Sequence, residues 1–544
     1  MFVKNVGRLL GAIGVFFSFA LSAQNYFIEQ ALLFSRQNAG GSARIQAMGG
    51  AQVALGGDFS SALSNPAGLG MYNRNEFTIT PAYSLQNASS TYTTSEFDKV
   101  NGNIIPSISN SSSSNSNLSL PGLSIVFGSN KNDEKAPFLG GTFAITLNRI
   151  NDFNGGIEYK GQNNGSSIVD YFIEASNGYT KDQFDPKFDP NNNPAGKGDN
   201  VNTPAFLGYE NYLLGPTTAN GTVYGTDVTG RPLQSETVKT AGSQNQWSIS
   251  YGANFMDKIF LGAGLGITSV RYSYDKTYKE NYEGQNVGPP CNDCFNNLQL
   301  KETRSTTGSG INLTLGALFK PIDFAQFGVS YVTPTAYQLN DTYSANMNTS
   351  WNSFDYYGNG KVILNSVSSK TIDDPVSYGL NTPSRFTFGT AFFFPKKGFI
   401  TADVELVNYS NASTSNFSQQ LYSLTIDADS EVNKKIAPRF KSATNIRIGA
   451  EYRIKKFRIR AGYNLMGDPY LKKPTDRINY SLTNVSSISG GIGYREAKFY
   501  VDLAIINTQG DGYYVPYAVA SPISPYLNYS NSTTRIMFTV GFPF

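Results

Sequence analysis

The sequence predicts an all-β protein: a fourteen-stranded antiparallel transmembrane β-barrel that holds an N-terminal hatch segment in its lumen. Three observations lead to this fold class. Apolar and polar residues alternate in short segments, the connections between these segments are short and long in turn, and only 15% of residues are charged while 13% are aromatic. A chain with so little charge is typical of a barrel whose outer wall faces lipid.

The composition also limits the chemistry that the chain can perform. Its 544 residues include 43 basic and 40 acidic side chains but no histidine. Without histidine there is no Ser-His or Cys-His nucleophile and no imidazole ligand, so we predict no enzymatic activity, no cofactor and no metal site. No stretch of the mature chain reaches the ~20 apolar residues of a membrane helix, so strands must cross the bilayer.

The first 23 residues have the features of a secretory signal peptide. Lys4 and Arg8 precede an apolar core, and Ser22-Ala23 supply a small-residue cleavage site, so the mature chain is predicted to begin at Gln24. Cleavage would bring the net charge from +3 to about +1, a balance that indicates no nucleic-acid partner.

The hatch segment, Gln24–Asn75, follows the signal peptide. It is rich in small residues and contains the element Asn65-Pro66-Ala67-Gly68. About fifty such residues are too many for a linker, and they would fit inside a fourteen-stranded lumen. The barrel is then predicted to occupy residues 76–544.

Alternation is clearest in the last ten residues, where Ile536, Phe538, Val540, Phe542 and Phe544 share one parity. Arg458 and Arg460 alternate with apolar residues in the same way, which fits a wall with lipid outside and a polar lumen inside. The fourteen predicted strands are Phe77–Leu85, Leu120–Gly128, Phe138–Arg149, Trp247–Phe255, Ile259–Tyr274, Thr303–Phe319, Phe327–Tyr337, Arg385–Phe394, Phe399–Tyr409, Asn445–Arg453, Phe457–Leu465, Ser486–Tyr494, Phe499–Asn507 and Arg535–Phe544.

The connections predict the orientation of the barrel. Every second connection is a short turn, and the others are long loops rich in Asn, Ser and Gly. Bacterial barrels have short periplasmic turns and long extracellular loops, so we expect an outer-membrane protein with both termini in the periplasm and lipid around the wall. The longest loop, Ile150–Gln246, is too long for a simple connection and is predicted to form a cap or a partner surface.

Two loops contain residues that resemble a redox or metal-binding motif. Cys291 and Cys294 form a C-x-x-C pair in an exposed loop of an oxidising compartment, which favours a local disulfide over a redox or metal role. Asp189-Pro-Asn191-Asn-Asn193 imitates the start of a calcium loop, but Pro194 replaces its glycine and Asn200 its bidentate glutamate, which favours a solvated turn.

Charged residues of both signs are predicted to face the lumen from the later strands. A lattice of salt bridges explains such a set better than a site for a ligand carboxylate, although both interpretations stay open. The predicted lumen charges are Arg385, Asp403, Glu405, Arg447, Glu451, Arg458, Arg460, Asp502 and Arg535.

Several of these segments together resemble the FadL/TodX family of outer-membrane transporters for long-chain fatty acids and aromatic hydrocarbons. The likeness rests on the Asn65–Gly68 element with the preceding Ala43-Arg44 and Met48–Ala51, and on Lys320–Thr335, Thr382–Phe394 and Phe457–Tyr463. With the strand count, it extends over essentially the whole mature chain.

The resemblance implies a function as well as a fold. It implies a channel for hydrophobic small molecules in which Asn65, Pro66, Ala67 and Gly68 belong to a gating hatch, and the ligand leaves sideways through a kink in the third strand. Gly140-Gly141 is the candidate for that kink. The resemblance does not identify the substrate.

Two alternatives remain open from the sequence. Asn65–Gly68 could be a turn that seats an immobile plug. The chain could also be a non-transporting barrel that serves as a subunit or adaptor of an outer-membrane secretion or assembly complex, with other envelope proteins as partners. A continuous apolar path with a lateral opening would favour transport, whereas an occluded lumen under a large ordered cap would favour the adaptor.

Overall fold

The computed structural model describes residues 26–97, 104–130, 136–184, 203–218, 221–283, 294–371, 373–417, 428–471, 481–520 and 524–544. The predicted signal peptide, Cys291 and the calcium-like segment 189–193 therefore lie outside the described residues. Within these ranges, no helix is long and apolar enough to span a bilayer.

The described residues form twenty-one strands. They are β1 Glu76–Phe97, β2 Ile104–Asn130, β3 Phe138–Asp152, β4 Gly155–Gln162, β5 Gly215–Pro216, β6 Tyr224–Gly225, β7 Leu233–Phe255, β8 Ile259–Asn281, β9 Phe295–Ile322, β10 Ala325–Val332, β11 Ala336–Asp355, β12 Ile363–Lys370, β13 Asp374–Asn381, β14 Arg385–Phe394, β15 Gly398–Asn408, β16 Ser413–Ser415, β17 Ser442–Ile454, β18 Phe457–Met466, β19 Ser481–Arg495, β20 Tyr500–Tyr514 and β21 Tyr526–Pro543.

Nineteen of these strands belong to one antiparallel sheet, which closes because β21 pairs with β1. Four wall strands are interrupted, as β3/β4, β10/β11, β12/β13/β14 and β15/β16. Counted as single wall strands, they give the fourteen-stranded barrel that the alternation predicted. Each predicted segment coincides with one wall strand, so the predicted fold class is confirmed.

The helices are fewer and short. Three lie in the hatch segment: α1 (residues 26–35), α2 (Ala43–Gln46) and α3 (Ser61–Ser64), followed by a 3₁₀ turn at Pro66–Met71. Two lie between β4 and β7, namely α4 (Ile168–Ser176) and α5 (Pro204–Glu210), and α6 (Ala428–Arg439) precedes β17. Further 3₁₀ turns are at Lys181–Phe184 and Tyr409–Asn411.

Short turns gather at one end of the barrel, which we call the turn end, and long connections at the other, the loop end. At the turn end, Met256 and Asp257 join β7 to β8 with φ values of 55° and 54°. Positive φ at both central residues is the geometry of a type I′ turn, whose twist matches that of the flanking strands. The hatch segment enters β1 at this same end, beside the C-terminus, because Glu76 pairs with Pro543.

The wall separates apolar from polar side chains as the alternation predicted. Ile536, Phe538 and Phe542 are exposed on the outside, while Arg460 is buried in the lumen and Arg458 has the same parity. This apolar outer belt covers only the part of each strand near the turn end. β8 has 23 residues, about twice the ~9–11 that cross a bilayer, so the wall continues well beyond the belt toward the loop end.

The hatch segment fills the lumen at the level of the belt. Its residues are buried against the inside of the wall, and its backbone lies directly on inward-facing glycines. A Cβ atom at Gly462 would lie within 3.0 Å of the Met48 and Gly49 backbones, and one at Gly262 would meet Pro66 and Ala67 in the same way. Glycine is required at these positions because the two backbones touch without side chains between them.

The same close approach recurs around the barrel, on strands far apart in sequence. The wall glycines at which a Cβ atom would come within 3.0 Å of the hatch segment are Gly252, Gly262, Gly316, Gly328, Gly389, Gly449, Gly462 and Gly491. We call these eight residues the glycine belt. They make the inner surface of the wall fit this one segment.

We expect Gly462→Ala to loosen the hatch segment without preventing barrel formation. The added methyl group overlaps backbone atoms that cannot move aside, which should cost about 1–3 kcal/mol. Hydrogen exchange should then rise in residues 43–57 while the wall strands stay protected.

Gly490→Ala is the matched control, because Gly490 has the outward parity of its exposed neighbours and its Cβ atom would meet only the Arg460 carbonyl, at 3.7 Å. Equal hydrogen exchange of the hatch segment in the Gly462→Ala and Gly490→Ala variants would show that contact with Gly462 does not hold the hatch segment in place.

Candidate functional site

Asn65 fixes the Asn65–Gly68 element to its surroundings. Its amide nitrogen donates to the carbonyl oxygens of Val53, at 2.7 Å, and of Ala317 in β9, at 3.2 Å. Its side-chain oxygen accepts from the Ala67 amide, as an N-cap of the 3₁₀ turn that Pro66 begins. The element therefore joins two parts of the hatch segment to the wall.

Wall side chains accept hydrogen bonds from other backbone amides of the hatch segment. Asp403 in β15 accepts from the amides of Gln52 and Val53 at 2.7 and 3.0 Å, and Thr539 in β21 accepts from the Ala43 amide at 2.8 Å. Buried backbone amides require such partners, since they cannot reach water. Asp403 is thus a contact of the hatch segment rather than a member of an ion pair.

The other predicted lumen charges, apart from Arg535, lie in two separate clusters. Nearer the turn end, Glu451 lies 2.9 Å from Arg460, which lies 2.6 Å from Asp502. Arg44 of the hatch segment lies 3.6 Å from Glu451 and 3.9 Å from Asp58, and Arg458 lies 3.8 Å from Glu451. This cluster links the hatch segment to three wall strands.

The second cluster lies around β14, β15 and β17. Arg447 pairs with Glu405 at 3.1 Å, and Arg385 donates to the side chain of Gln37 in the hatch segment. Arg535 belongs to neither cluster. It lies 3.6 Å from Asp152, at the end of β3.

The third wall strand is broken between β3 and β4. At the break, the Phe153 amide donates to the Gly242 carbonyl, and the Asn154 side chain bonds both the amide and the carbonyl of Gly242 at 3.4 Å. Gly242 has φ of +124°, and a Cβ atom there would overlap the backbone of β8. The break is therefore held by specific bonds.

Gly140-Gly141, the predicted kink, lies elsewhere on the same strand. The structure has a register shift between Phe138 and Gly140, with φ of +136° at Gly140, so this site is a β-bulge near the turn end. The larger interruption at residues 153–154 was not predicted. Its sequence signal is Asn154-Gly155-Gly156, which reads equally well as the start of a loop.

The break leaves a gap in the ladder between the second and third wall strands. β2 pairs with β3 only as far as Gly122 with Asn148, next to Pro121, which has no amide to donate. Within the described ranges, β4 pairs with β7 and not with β2. We call the boundary between the β1/β2 hairpin and β4 the seam.

Side chains rather than backbone amides bridge the seam. Ser90 and Ser109 donate to the carbonyl oxygens of Glu158 and Lys160, and Thr94 donates to that of Gln162 at 3.1 Å. Such single hydroxyl bonds are easier to break than a continuous backbone ladder. The seam is therefore a stretch of the wall that side-chain bonds hold without a backbone ladder in the described residues.

A cavity of about 240 Å³ adjoins the seam inside the lumen, and we call it the lumen cavity. It lies between α1 and the wall, on the loop side of the hatch segment. Apolar side chains line it from α1 and β18–β20, namely Leu32, Leu33, Met466, Leu482, Val485 and Ile506. Polar side chains line it from α1, from the residue that follows α1, and from β21, β1, β2 and β3, including Glu29, Gln30, Arg36, Asn531, Thr533, Arg535, Ser84, Gln86, Asn117, Asn151 and Asp152.

A cap, residues 163–232, joins β4 to β7 at the loop end. It is shorter than the predicted loop Ile150–Gln246, because β4 and the first part of β7 extend the wall into that range. Glu280 of β8 accepts from the Ser167 hydroxyl and the Ile168 amide at 2.7 and 2.8 Å, which ties α4 to the wall. Burial raises the pKa of the Asp170 carboxyl, which completes the capping box of α4.

Of the two predicted disulfide cysteines, only one is among the described residues. Cys294 is disulfide-bonded, while Cys291 lies outside the described residues. Within the described ranges, no cluster of three carboxylate or thiol side chains could hold a metal ion.

Comparisons with known proteins bear on the fold. No protein-family model and no curated protein matches the chain. A crystal structure of a Pseudomonas aeruginosa FadL homologue is similar, with a TM-score of 0.52 and 13% identity over 93% of this chain and 98% of the other. The Pseudomonas putida toluene transporter TodX gives 0.45 and 14% over 92% and 98%, and the Ralstonia pickettii toluene transporter TbuX gives 0.43 and 14% over 93% and 99%.

At these identities the likeness concerns the fold alone. The FadL homologue shares the barrel architecture along nearly the full length of both chains, which confirms the fold that the sequence resemblance implied. What passes through the barrel has to be argued from this chain's own residues.

We expect Glu451→Gln to destabilise the barrel by about 1.5–3 kcal/mol, because it removes charged hydrogen-bond and ion-pair contacts and leaves Arg460 with Asp502 and Arg44 with Asp58 as their carboxylate partners. The midpoint of urea unfolding should fall accordingly. Glu496→Gln is the control, since its pair with Lys456 is exposed and should contribute little. If both variants shift the midpoint equally, the cluster does not stabilise the fold.

Proposed function

We propose that the protein is an outer-membrane channel for hydrophobic or amphipathic small molecules. The observation that carries this proposal is the lumen cavity, which adjoins a gap in the ladder of the wall at residues 153–155. A concave site with apolar side chains and a few polar groups is the usual form of a small-molecule site. The fold shared with the FadL homologue supports the same assignment.

The position of the hatch segment favours a lateral exit. The straight route from the lumen cavity to the turn end is filled by buried backbone packed on the glycine belt. For a ligand to leave sideways at the seam, a few hydrogen bonds from hydroxyl groups have to break and the Gln86 side chain has to move. A ligand that leaves there passes through the side of the barrel instead of along its axis.

Gating by the hatch segment is the second part of the proposal. Asn65–Gly68 lies beside β7, β8 and β9 and is bonded to the wall chiefly through Asn65. A shift of this element would uncover glycine-lined wall and widen the route below the lumen cavity. The alternative is that Asn65–Gly68 is a turn that holds the hatch segment in place as an immobile plug. A disulfide crosslink between the hatch segment and the wall distinguishes a moving hatch from an immobile plug.

One observation favours a different function, that of an adaptor in an envelope complex. The described part of the cap packs by its aromatic residues into the largest buried cluster of the described residues, together with α1 and the wall. This arrangement covers the loop end, as expected of a barrel that presents a surface to other envelope proteins. Gentle purification from the membrane decides between them: a stoichiometric protein complex would support the adaptor, and copurified apolar molecules the channel.

We expect Gly155→Trp to block uptake without unfolding the barrel. A side chain at Gly155 would point at the flexible Gln86 amide, so an indole there should close the gap beside the lumen cavity. Uptake of radiolabelled oleate and of toluene into cells that carry the variant should fall at least tenfold.

Lys160→Trp on the exposed side of β4 is the matched control and should transport normally. Unchanged uptake by Gly155→Trp, with the protein folded at normal levels, would exclude exit at the seam.

We expect a disulfide between Ser64→Cys and Ser330→Cys to stop uptake reversibly if the hatch segment moves. The Ser330 hydroxyl donates to the Ser64 backbone carbonyl, so the two residues are neighbours across the boundary with β10. The single variants are the controls, and a reductant should restore uptake. Full uptake in the oxidised double variant would support an immobile plug.

A further inference from the structure

Three turns at the turn end of the barrel carry unpaired basic side chains. Lys396 and Lys397 lie in the turn between β14 and β15, Lys455 in the turn between β17 and β18, and Lys498 in the turn between β19 and β20. All four are exposed, and none forms an ion pair with a carboxylate in the described part of the protein. We call these four residues the basic arc, because their turns follow one another along the wall.

The acidic residues closest to the basic arc already have basic partners. Glu496 pairs with Lys456, while Glu451 and Asp502 are buried in their cluster with Arg460. The chain as a whole is nearly balanced, with 43 basic and 40 acidic side chains, so the excess is local. The charge that these three turns present to their surroundings is therefore positive.

Two lysines of the basic arc occupy turn positions that do not favour lysine. Lys396 has φ of 64° and Lys455 has φ of 52°, which is the left-handed region of the backbone. Glycine, asparagine and aspartate are the residues preferred there. A requirement for positive charge explains lysine at these positions better than the geometry of the turns does.

The basic arc borders the apolar belt. Each of its turns has an exposed apolar side chain one or two residues from a lysine, namely Phe394, Ile454 and Phe499. A lysine this close to lipid-facing side chains reaches the layer of lipid headgroups, because its apolar stem lies along the wall while its ammonium group stays in water. Neighbouring turns are two strands apart, or about 10 Å at ~4.8 Å per strand, so each turn can meet a different headgroup.

From this arrangement we infer that the basic arc binds anionic phospholipids of the leaflet at the turn end. The lysines contact the negatively charged headgroups, and the apolar belt contacts the acyl chains of the same lipids. An acidic soluble protein would need cations across the open end of the barrel, whereas the basic arc lies on its rim beside the lipid. The inference does not depend on the proposed channel function.

The lipid preference of the protein tests this inference. The full-length protein is reconstituted in phosphatidylcholine bilayers, and electron spin resonance of spin-labelled phosphatidylglycerol and phosphatidylcholine gives their relative association with the barrel surface. We expect phosphatidylglycerol to associate about three to ten times more strongly at low ionic strength, because each lysine near the headgroups adds to the attraction. In 1 M salt the preference should fall to about twofold or less, since exposed charges are screened.

Substitution of all four lysines of the basic arc by glutamine should remove most of this preference, and substitution by arginine should keep it. The matched control replaces four other exposed lysines by glutamine, on the outer wall toward the loop end: Lys160, Lys239, Lys279 and Lys301. Lys239 lies eight residues from the exposed Trp247, about 25 Å along β7 at ~3.3 Å per residue. The control removes the same charge away from the belt, so it should keep the preference.

Equal association of the two lipids with the unmodified protein overturns the inference. A preference that persists in the glutamine variant of the basic arc, or that the control variant loses as well, overturns it too. Circular dichroism establishes that all three variants are folded. These outcomes do not bear on the proposed channel, which is tested by uptake.

Discussion

The structure depends on direct backbone contact between the hatch segment and the glycine belt. Six of the eight wall glycines lie against backbone atoms of the hatch segment, and Gly316 and Gly491 lie against its side chains. Asp403 and Thr539 supply the partners that buried amides require. A short segment of small residues has no apolar core of its own, so its conformation is determined by the inner surface of the wall.

This contact closes the axis of the barrel at the level of the apolar belt. The β2/β3 ladder ends at Gly122, the strand resumes as β4 after Asn154, and only side-chain hydroxyls bridge the boundary beyond. The proposed lateral exit rests on this combination of an axis filled by the hatch segment and a seam without a backbone ladder.

The sequence predicts this fold well where lipid imposes a pattern and poorly where it does not. β14 matches its predicted bounds, since Phe388, Phe392 and Phe394 face lipid. β4 and the upper part of β7 were read as loop, because their outer faces carry residues such as Lys160 and Lys239 and show no apolar alternation. The inward parity of the charged residues could be read from the sequence, but which of them pair depends on the register of the strands. The glycine belt could not be predicted, because it depends on contact between segments that are distant in sequence.

The cap and the seam are mechanically connected, which links the two candidate functions. β4 ends at Gln162, whose carbonyl accepts the last hydroxyl bond of the seam, and the cap begins at the next residue. Asn163 is bonded to Tyr517 at 2.9 Å and Glu280 holds α4, so the cap is anchored to β8 and to the residues that follow β20. β4 itself is held to β7 by a backbone ladder and to the β1/β2 hairpin by side-chain bonds, so the cap continues directly from the strand that borders the seam.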